Sequence, residues 1–322
     1  MSLAGHDLAR SIRENYLTFS QQEARGRSRA YEILAAEVAG DPPVLAFLAA
    51  LPPVKRQPNL LFAAARYLLG RPATIGSLRQ LVTGRGAELA AVIQARRTQT
   101  NEPARCASLL PALMQLPQPL ALLEVGASAG LTLLPDRYSY NYAGHRIAGT
   151  DPQAPVIRCE PRGPVPLPER VPDVCWRAGL DLNPLDVTSA ADMRWLGCLL
   201  WPGERGRMAR LAGAIAAARR DPPPVYRGDL LTDLPALARQ APREATLVIY
   251  HSAVLGYLGH EERGQFAENV RGLDAVWLSN DVAQLPEVPA PDGGDSSFQL
   301  VRDGRTLLAV ADVHGAWLHW RH

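Results

Sequence analysis

The first 117 residues carry apolar side chains at helical spacing. Leu8, Ile12, Tyr16 and Phe19 follow one another at intervals of four, four and three residues, which places them on one face of a helix. We therefore predict an all-helical N-terminal domain over residues 1–117. Its further helical segments are 31–38, 44–51, 59–69, 86–98 and 102–116.

From residue 118 onward, strand-like runs alternate with helical ones. Such alternation is typical of an open, largely parallel sheet with helices on both faces. The last two predicted strands are joined only by Asp303-Gly-Arg, which is short enough for a hairpin, so we expect an antiparallel pair there. The predicted strands are 120–125, 156–160, 174–180, 225–229, 246–250, 275–279, 298–302 and 307–311, and the predicted helices begin at 129 and span 191–219, 232–240 and 261–272.

A buried-strand pattern from Leu120 to Val125 is followed by a turn of small residues. Gly126, Ser128 and Gly130 lie in that turn, and a new apolar pattern begins directly after it. A strand, a tight turn and a helix in this order direct backbone N–H groups at a ligand above the sheet. Two kinds of site share the pattern. One is the acidic-x-Gly-x-x-x-Gly turn of nucleotide-type cofactor folds, and the other is the Gly-x-Ser-x-Gly nucleophile elbow of serine hydrolases.

The position of the turn favours a cofactor site. In an α/β-hydrolase the elbow follows earlier strands that supply the oxyanion loop, whereas here it follows the first predicted strand. A dinucleotide site would need glycine at 128 and 131, where this chain has Ser128 and Leu131. The order Ser128, Asp281, His314 does match a Ser…Asp…His triad, so a serine hydrolase is kept as an alternative.

The turn after the first strand, the alternating elements and the hairpin together resemble the class I S-adenosylmethionine (SAM)-dependent methyltransferases. Short motifs along nearly the whole chain also resemble the uncharacterised bacterial family DUF2332. These motifs are Gln57-Pro-Asn-Leu-Leu, Asn101-Glu, Arg105-Cys, Leu123-Glu-Val-Gly-Ala-Ser-Ala-Gly-Leu, Asp136-Arg-Tyr, Gly179-Leu-Asp-Leu-Asn-Pro-Leu-Asp-Val, Arg194-Trp-Leu and Trp201-Pro. The resemblance implies an α/β fold with a Rossmann-like methyltransferase sheet over residues 118–322. An insertion that forms a hairpin over the sheet edge is expected at about 138–172.

The methyltransferase resemblance assigns a cofactor role to the turn. It places Glu124 near the amino group of SAM, and the backbones of Gly126, Ser128 and Gly130 along the carboxylate and ribose. Ser128 departs from the pattern, because methyltransferases more often have glycine there and a side chain leaves less room for the ligand. The alternative is a tight turn that only packs a helix on a strand.

An acid at the end of the second strand is expected to hold the ribose hydroxyls. The strand 174–180 leads directly into Asp181, which we favour for this role over Glu160. At the end of the next strand, the methyltransferase resemblance places Asp229 and Leu230 near the adenine. A helix cap is the alternative role for Asp229.

Candidates for the methyl-transfer chemistry follow the strand 246–250. Methyl transfer from a sulfonium is an in-line displacement, in which the enzyme positions the acceptor and can remove its proton. His251 suits proton removal at neutral pH, and Tyr250 is expected beside the cofactor. Tyr257 is a second catalytic candidate, and Asn280 and Asp281 are weaker ones near the same rim. A histidine that only hydrogen-bonds within its loop is the alternative for His251.

Composition limits the possible functions. A net charge of +2 gives no broad basic field for nucleic acid, and no run of 18 apolar residues exists to span a membrane. The widely spaced Cys106, Cys159, Cys175 and Cys198, together with an N-terminus without secretion features, indicate a cytoplasmic protein. The histidines have no metal-ligand spacing, so no metal is predicted.

We therefore expect a cytoplasmic SAM-dependent methyltransferase that acts on a small-molecule acceptor in the crevice above the turn 124–130. The helical domain and the insertion are expected to cover this crevice beside His251, which would exclude large substrates. A non-catalytic SAM-fold binding protein is one alternative, and a serine hydrolase that uses Ser128 is a less favoured one. The sequence sets neither the acceptor, the methylated atom nor the oligomeric state.

Overall fold

The computed structural model describes residues 3–282, 285 and 297–321 of the chain, with side chains from residue 7 onward. Within this part no helix is both long and apolar enough to cross a membrane. The helices are α1 (Leu3–Thr18), α2 (Arg29–Ala39), α3 (Pro42–Ala49), α4 (Pro58–Leu69), α5 (Ile75–Ala95), α6 (Arg105–Leu113), α7 (Ala190–Leu199), α8 (Arg205–Arg220), α9 (Leu234–Ala238) and α10 (His260–Arg271). The strands are β1 (Leu120–Val125), β2 (Ser139–Tyr142), β3 (His145–Ile147), β4 (Val156–Arg162), β5 (Val174–Asp181), β6 (Val225–Arg227), β7 (Thr246–Ser252), β8 (Val276–Val282), β9 (Phe298–Arg302), β10 (Thr306–Ala311) and β11 (Trp317–Trp320).

One compact unit comprises Met1–Thr100 and Ala190–Ala209. Helices α1 to α5, which the helical spacing predicts, belong to it together with α7, and its described residues contain no strand. An aromatic cluster holds these helices together, with neighbouring ring centroids 4.9 to 6.0 Å apart. The members of this cluster are Tyr16, Phe19, Tyr31, Phe62 and Trp201.

The second compact unit comprises Asn101–Ser189 and Arg210–His322. Its described residues form a sheet of eleven strands in the order β3-β2-β4-β11-β10-β9-β8-β7-β1-β5-β6. The strands β6, β5, β1, β7 and β8 are parallel to one another. From β8 to β11, each strand pairs antiparallel with the next strand along the chain. The fold is therefore mixed α/β, with a large, mostly parallel sheet that carries antiparallel strands.

The central strand of the parallel part is β1, and all six of its residues are buried. Later strands of the chain add on both of its sides: β5 and then β6 on one side, β7 and then β8 on the other. The direction of strand addition thus reverses between β1 and β7. In sheets of this kind, ligands bind outside the carboxyl ends of the strands at such a reversal.

All eight predicted strands are present. Within the insertion expected at 138–172, β2 and β3 form the expected hairpin at the edge of the sheet, whereas β11 was not predicted. The connection at 303–305 joins β9 and β10 as a hairpin, as expected. The chain then adds β11 antiparallel to β10, so this hairpin does not end the sheet. The strand β11 is only four residues long, and its apolar alternation is too brief to distinguish it from a loop.

The helix predicted from residue 129 is wrong. The chain forms only a single 3₁₀ turn at Leu131–Leu133, and Pro135 follows without an N–H group for a helical hydrogen bond. Side chains bind the backbone instead. The first N–H of the turn donates to Oδ1 of Asn101 at 2.7 Å, and its first two carbonyls accept from Tyr138 Oη at 2.6 Å and Tyr250 Oη at 3.0 Å. Tertiary hydrogen bonds thus replace those of a helix.

A hydrophobic cluster covers the face of the sheet to which Val125 belongs. Val125 and Ile249 of the sheet pack there with Phe266 of α10 and with Trp277, and all four are buried. The opposite face carries Glu124 and Tyr250, which are paired in register on β1 and β7. The alternation of side chains along a strand therefore separates these two faces chemically.

Candidate functional site

Buried polar side chains concentrate at the carboxyl ends of β1, β7 and β8. These three strands are adjacent and end at the same edge of the sheet. Burying polar groups costs free energy unless they are paired, so a concentration of them beside the strand-order reversal marks a candidate site. The buried polar residues at this edge are Glu124, Ser128, His251, Ser252, Asn280 and Asp281.

Glu124 is the most perturbed of these groups. It is 2 % exposed, and Thr132 Oγ1 donates to its Oε1 at 2.5 Å. Asn101 Nδ2 in turn donates to Thr132 Oγ1 at 3.2 Å. Oε2 of Glu124 has no hydrogen-bond partner among the described residues. Burial raises the pKa of Glu124 to about 8, although the Thr132 hydrogen bond and the charge of Arg105 act to lower it.

The turn after β1 is bound to the end of β5. Gly126, Ser128 and Gly130 all have a positive φ, near 70°, 52° and 70°. Asp181 accepts the N–H of Ser128 at Oδ2 (2.8 Å) and the N–H of Asn183 at Oδ1 (2.7 Å). The structure therefore brings together the two elements that the sequence assigned to the cofactor, the turn and Asp181.

Protein side chains pack directly on the two glycines of the turn. A Cβ atom on Gly126 would lie 2.4 Å from Cγ2 of Val254, and one on Gly130 would lie 2.7 Å from Cγ of Pro223. Glycine is thus required at both positions by space as well as by φ. The faces of the turn that meet Val254 and Pro223 are occupied by the chain itself.

His251 lies on the hydrophobic face of the sheet, opposite Glu124. Its side chain is fully buried, with ring centroids 5.6 Å from Phe266 and 6.0 Å from Trp277. Its Nδ1 lies 3.3 Å from Oδ2 of Asp281, and neither ring nitrogen makes a hydrogen bond within the described residues. The expectation that His251 removes a proton from an acceptor stays a prediction, and the ring faces an aromatic cluster and one carboxylate.

Asp281 fixes the loop that covers the turn. Its Oδ2 accepts the N–H groups of Val254 at 2.7 Å and Leu255 at 2.9 Å. Burial alone would raise the pKa of Asp281, but His251 and these two N–H groups outweigh it and hold the pKa below its ordinary value. Asp281 thereby positions Val254, the residue that packs on Gly126.

The other predicted site residues have varied environments. Tyr250 is buried on the face of Glu124, whereas Tyr257 is 73 % exposed on a 3₁₀ turn. Asp229 accepts the N–H of Leu231 at 2.7 Å in a local turn. The N-cap position of α9 is Asp233, so Asp229 does not have the helix-cap role given as the alternative to an adenine contact. Leu230 is half-buried against the hydrophobic cluster.

Glu160 lies far from the turn along the sheet. It is part of β4, which five strands separate from β1. Asp181, by contrast, ends β5, the direct neighbour of β1. Of the two acids considered for the ribose, the sheet order therefore favours Asp181.

The geometry gives no support to the serine hydrolase alternative. Ser128 has the positive φ of an elbow, but its buried Oγ makes no hydrogen bond within the described part of the chain. Asp281 lies against His251 and the loop at 253–255. A nucleophilic serine needs a base within hydrogen-bond distance, so the triad with His314 is not assembled.

Sequence reasoning gave no site role to Arg105, Thr132 or Asn101. Arg105 is 6 % exposed and donates to the backbone oxygens of Val313 at 3.0 Å and Ser252 at 3.3 Å. The sequence does contain a feature that could indicate a role for Thr132, because it is the one polar residue in the apolar run from 131 to 134. Asn101 and Arg105 stand among the motifs of the family resemblance, but nothing in their spacing predicts a contact with the turn.

Asn280 completes the polar edge at the end of β8. Its Nδ2 donates to Ser252 Oγ at 3.1 Å, whereas its Oδ1 has no hydrogen-bond partner among the described residues. Ser252 and Asn280 are paired in register and share the sheet face of Glu124. Counting the described residues alone, this face therefore has an acceptor without a hydrogen-bond partner at both Glu124 and Asn280.

Comparison with known proteins identifies the family. A family model described as an uncharacterised protein conserved in bacteria, DUF2332, matches residues 13–320. The chain belongs to the DUF2332 family. No curated protein matches this DUF2332 chain, and no solved structure matches it. In the described residues, no group of three or more His, Cys, Asp or Glu side chains is placed to hold a metal ion.

Proposed function

We propose that this DUF2332 protein binds SAM at the carboxyl edge of β1 and transfers the methyl group to a small-molecule acceptor. The observation that carries the proposal is the parallel order β6-β5-β1-β7-β8, with a Gly-rich turn after the central strand and Asp181 at the end of its neighbour. This is the chain order 3-2-1-4-5 of a nucleotide-binding, Rossmann-like sheet.

The residues at this edge fit the chemistry of SAM. The buried Oε2 of Glu124, which has no partner within the described part of the chain, suits an N–H donor such as the ligand's ammonium group. Asp181 lies at the end of β5 and binds the turn through the N–H of Ser128, and a carboxylate at this strand end is the proposed acceptor for the ribose hydroxyls. When bound, SAM supplies a methyl group on a positively charged sulfur. Asp229 and Leu230 are kept as the proposed adenine side of the site.

The proposed mechanism relies on positioning of the acceptor. In-line displacement needs the nucleophile held in line with the methyl group, and orientation by the protein supplies much of the rate. Tyr257, with its exposed side chain, is the proposed contact for the acceptor. Because His251 is buried against Phe266 and Trp277, a nucleophile that needs no base at this position suits the site best.

A non-catalytic SAM-fold binding protein is the second candidate. The observation that favours it is the close packing of Val254 and Pro223 on the glycines of the turn. Such packing is compatible with a turn kept for stability. Ligand binding without methyl transfer would distinguish this candidate from an enzyme.

The first experiment is direct binding. Titration calorimetry and thermal shift are measured with SAM and with S-adenosylhomocysteine, each up to millimolar concentration. We expect both ligands to bind the wild-type protein. No heat and no thermal shift with either ligand would reject the proposed cofactor.

The second experiment identifies the acceptor class. The protein and methyl-labelled SAM are incubated with one bacterial fraction at a time. The three fractions are a small-metabolite extract, total protein and total nucleic acid. We expect label only in the small-molecule fraction. Label in protein or nucleic acid would contradict a small acceptor, and binding without any transfer would favour the non-catalytic candidate.

A further inference from the structure

The two carboxyl oxygens of Glu124 have different environments. Oε1 accepts from Thr132 Oγ1 at 2.5 Å, and this hydroxyl accepts from Asn101, so its own hydrogen points at Glu124. Oε2 is buried and without a hydrogen-bond partner among the described residues. A charged carboxylate left with one unpaired oxygen is costly in a buried site, whereas an uncharged carboxyl costs less.

The groups that face Glu124 come from several elements. Burial raises the pKa values of Cys106, Tyr138 and Tyr250, so these three are uncharged near neutral pH. Asp181 on β5 opposes a charge on Glu124, and Arg105 on α6 favours one. Arg105 directs two of its N–H groups at the carbonyls of Val313 and Ser252. Burial has a larger effect on the pKa of Glu124 than any of these neighbours, and it raises that pKa.

We propose that Glu124 is uncharged in the ligand-free protein and releases its proton when a ligand's ammonium group binds against Oε2. The inference rests on the proposed function for the placement of that amino group beside Glu124. The O–H bond of the carboxyl group breaks and its proton passes to the buffer. The ammonium group keeps its protons and donates one hydrogen bond to Oε2. Binding at this edge of the sheet is therefore coupled to the release of one proton.

The coupling predicts a specific stoichiometry. With a pKa of about 8 for Glu124, about nine-tenths of the molecules carry the proton at pH 7, so about 0.9 proton is released per ligand bound. Affinity for an ammonium-bearing ligand should rise about tenfold between pH 6 and 7. A ligand without the amino group should release no proton and show no such rise.

The number of protons released on binding is measured by calorimetry at pH 7 in phosphate and in Tris, because these buffers differ in ionisation enthalpy. S-adenosylhomocysteine carries the amino group, and 5′-methylthioadenosine lacks the amino-acid part. We expect proton release with the first and none with the second. Glu124→Gln should abolish the release, while the exposed Glu268→Gln on α10 should keep it. Because the two ligands are compared on the wild-type protein, the test stands even if Glu124→Gln folds poorly.

Each outcome decides the inference. Binding of S-adenosylhomocysteine without proton release, or release that persists in Glu124→Gln, overturns it and leaves the proposed function intact. If neither nucleoside binds, the proposed function fails, and thermal shift with L-methionine and 3-(methylthio)propionate then tests the inference alone. The inference is supported if methionine stabilises the protein and 3-(methylthio)propionate does not. This stabilisation should be larger at pH 8.5 than at pH 6.5 and absent in Glu124→Gln. No stabilisation by methionine overturns it.

Discussion

Thr132 Oγ1 lies 2.5 Å from Oε1 of Glu124, and this is the single hydrogen bond that the described residues provide to the carboxyl group. One oxygen is thus paired and the other is not, in a side chain that is 2 % exposed. A buried carboxyl group in this state prefers to be uncharged. The preference makes the stability of the protein depend on pH.

Glu124→Gln should change how stability varies with pH. The pKa of Glu124 is about 8 in the folded protein, against an ordinary value of 4.5. Between pH 4.5 and 8, the folded state therefore holds this proton and the unfolded state releases it. Stability from this group is complete below pH 4.5 and is lost as the pH rises through 8, by on the order of 5 kcal/mol in total. Urea unfolding of the variant from pH 5 to 9 should lack this decline.

The matched control for that series is Glu268→Gln, a change of the same type at an exposed position of α10. It should keep the wild-type decline between pH 5 and 8. Equal pH profiles for the wild type and Glu124→Gln would contradict a protonated Glu124.

Gly126→Ala should destabilise the protein strongly. The new Cβ would lie 2.4 Å from Cγ2 of Val254, and the residue would keep a φ of 70°. Gly163 has the same φ, but the nearest atom to its Cβ would be 3.4 Å away, so Gly163→Ala carries the backbone strain alone. We expect a loss on the order of 3 kcal/mol for Gly126→Ala and about 1 kcal/mol for Gly163→Ala in urea unfolding. Similar losses for both would show that Val254 moves aside easily.

Asp181→Ala should weaken the binding of S-adenosylhomocysteine. The change removes the acceptor for the N–H of Ser128 and, under the proposed function, the acceptor for the ribose hydroxyls. We expect a loss of about 1–3 kcal/mol in binding free energy by calorimetry. Asp186→Ala is the control, because Asp186 accepts hydrogen bonds from Thr188 in its own turn and lies beyond the end of β5. A loss of equal size in both variants would argue against a ligand role for Asp181.

Ser128 should not react as a nucleophile. Its Oγ is buried and has no base at hydrogen-bond distance within the described residues. A fluorophosphonate probe should therefore leave the protein unlabelled by mass spectrometry, and p-nitrophenyl esters should not be hydrolysed. A covalent adduct on Ser128 would restore the hydrolase alternative and overturn the methyltransferase proposal.

The fold was predicted well where apolar patterns are long. The buried run of β1 and the hairpin at 303–305 were both found, because composition and turn chemistry act locally. The segment after Gly130 was predicted incorrectly, because its leucines match a helix while Pro135 and distant hydrogen-bond partners prevent one. The local spacing of apolar residues does not show which tertiary hydrogen bonds compete with those of a helix.

The candidate site was predicted in part. Glu124, the turn and Asp181 do lie together, since a motif after one strand and an acid after its neighbour meet at the same sheet edge. His251 also lies near that edge, but strand alternation turns its ring to the opposite face from Glu124. A shift of one residue along a strand reverses the face, so a strand-end position alone cannot set the direction of a side chain.

The sequence by itself determined the α/β class, the family and the turn at 124–130, because these depend on local pattern and motif. Only the tertiary structure decided which groups surround Glu124. Asn101, Arg105 and Thr132 come from different elements, and no spacing along the chain brings them to one carboxyl group. The charge state of Glu124 follows from that environment, since burial and unpaired hydrogen-bonding atoms are properties of the packed chain.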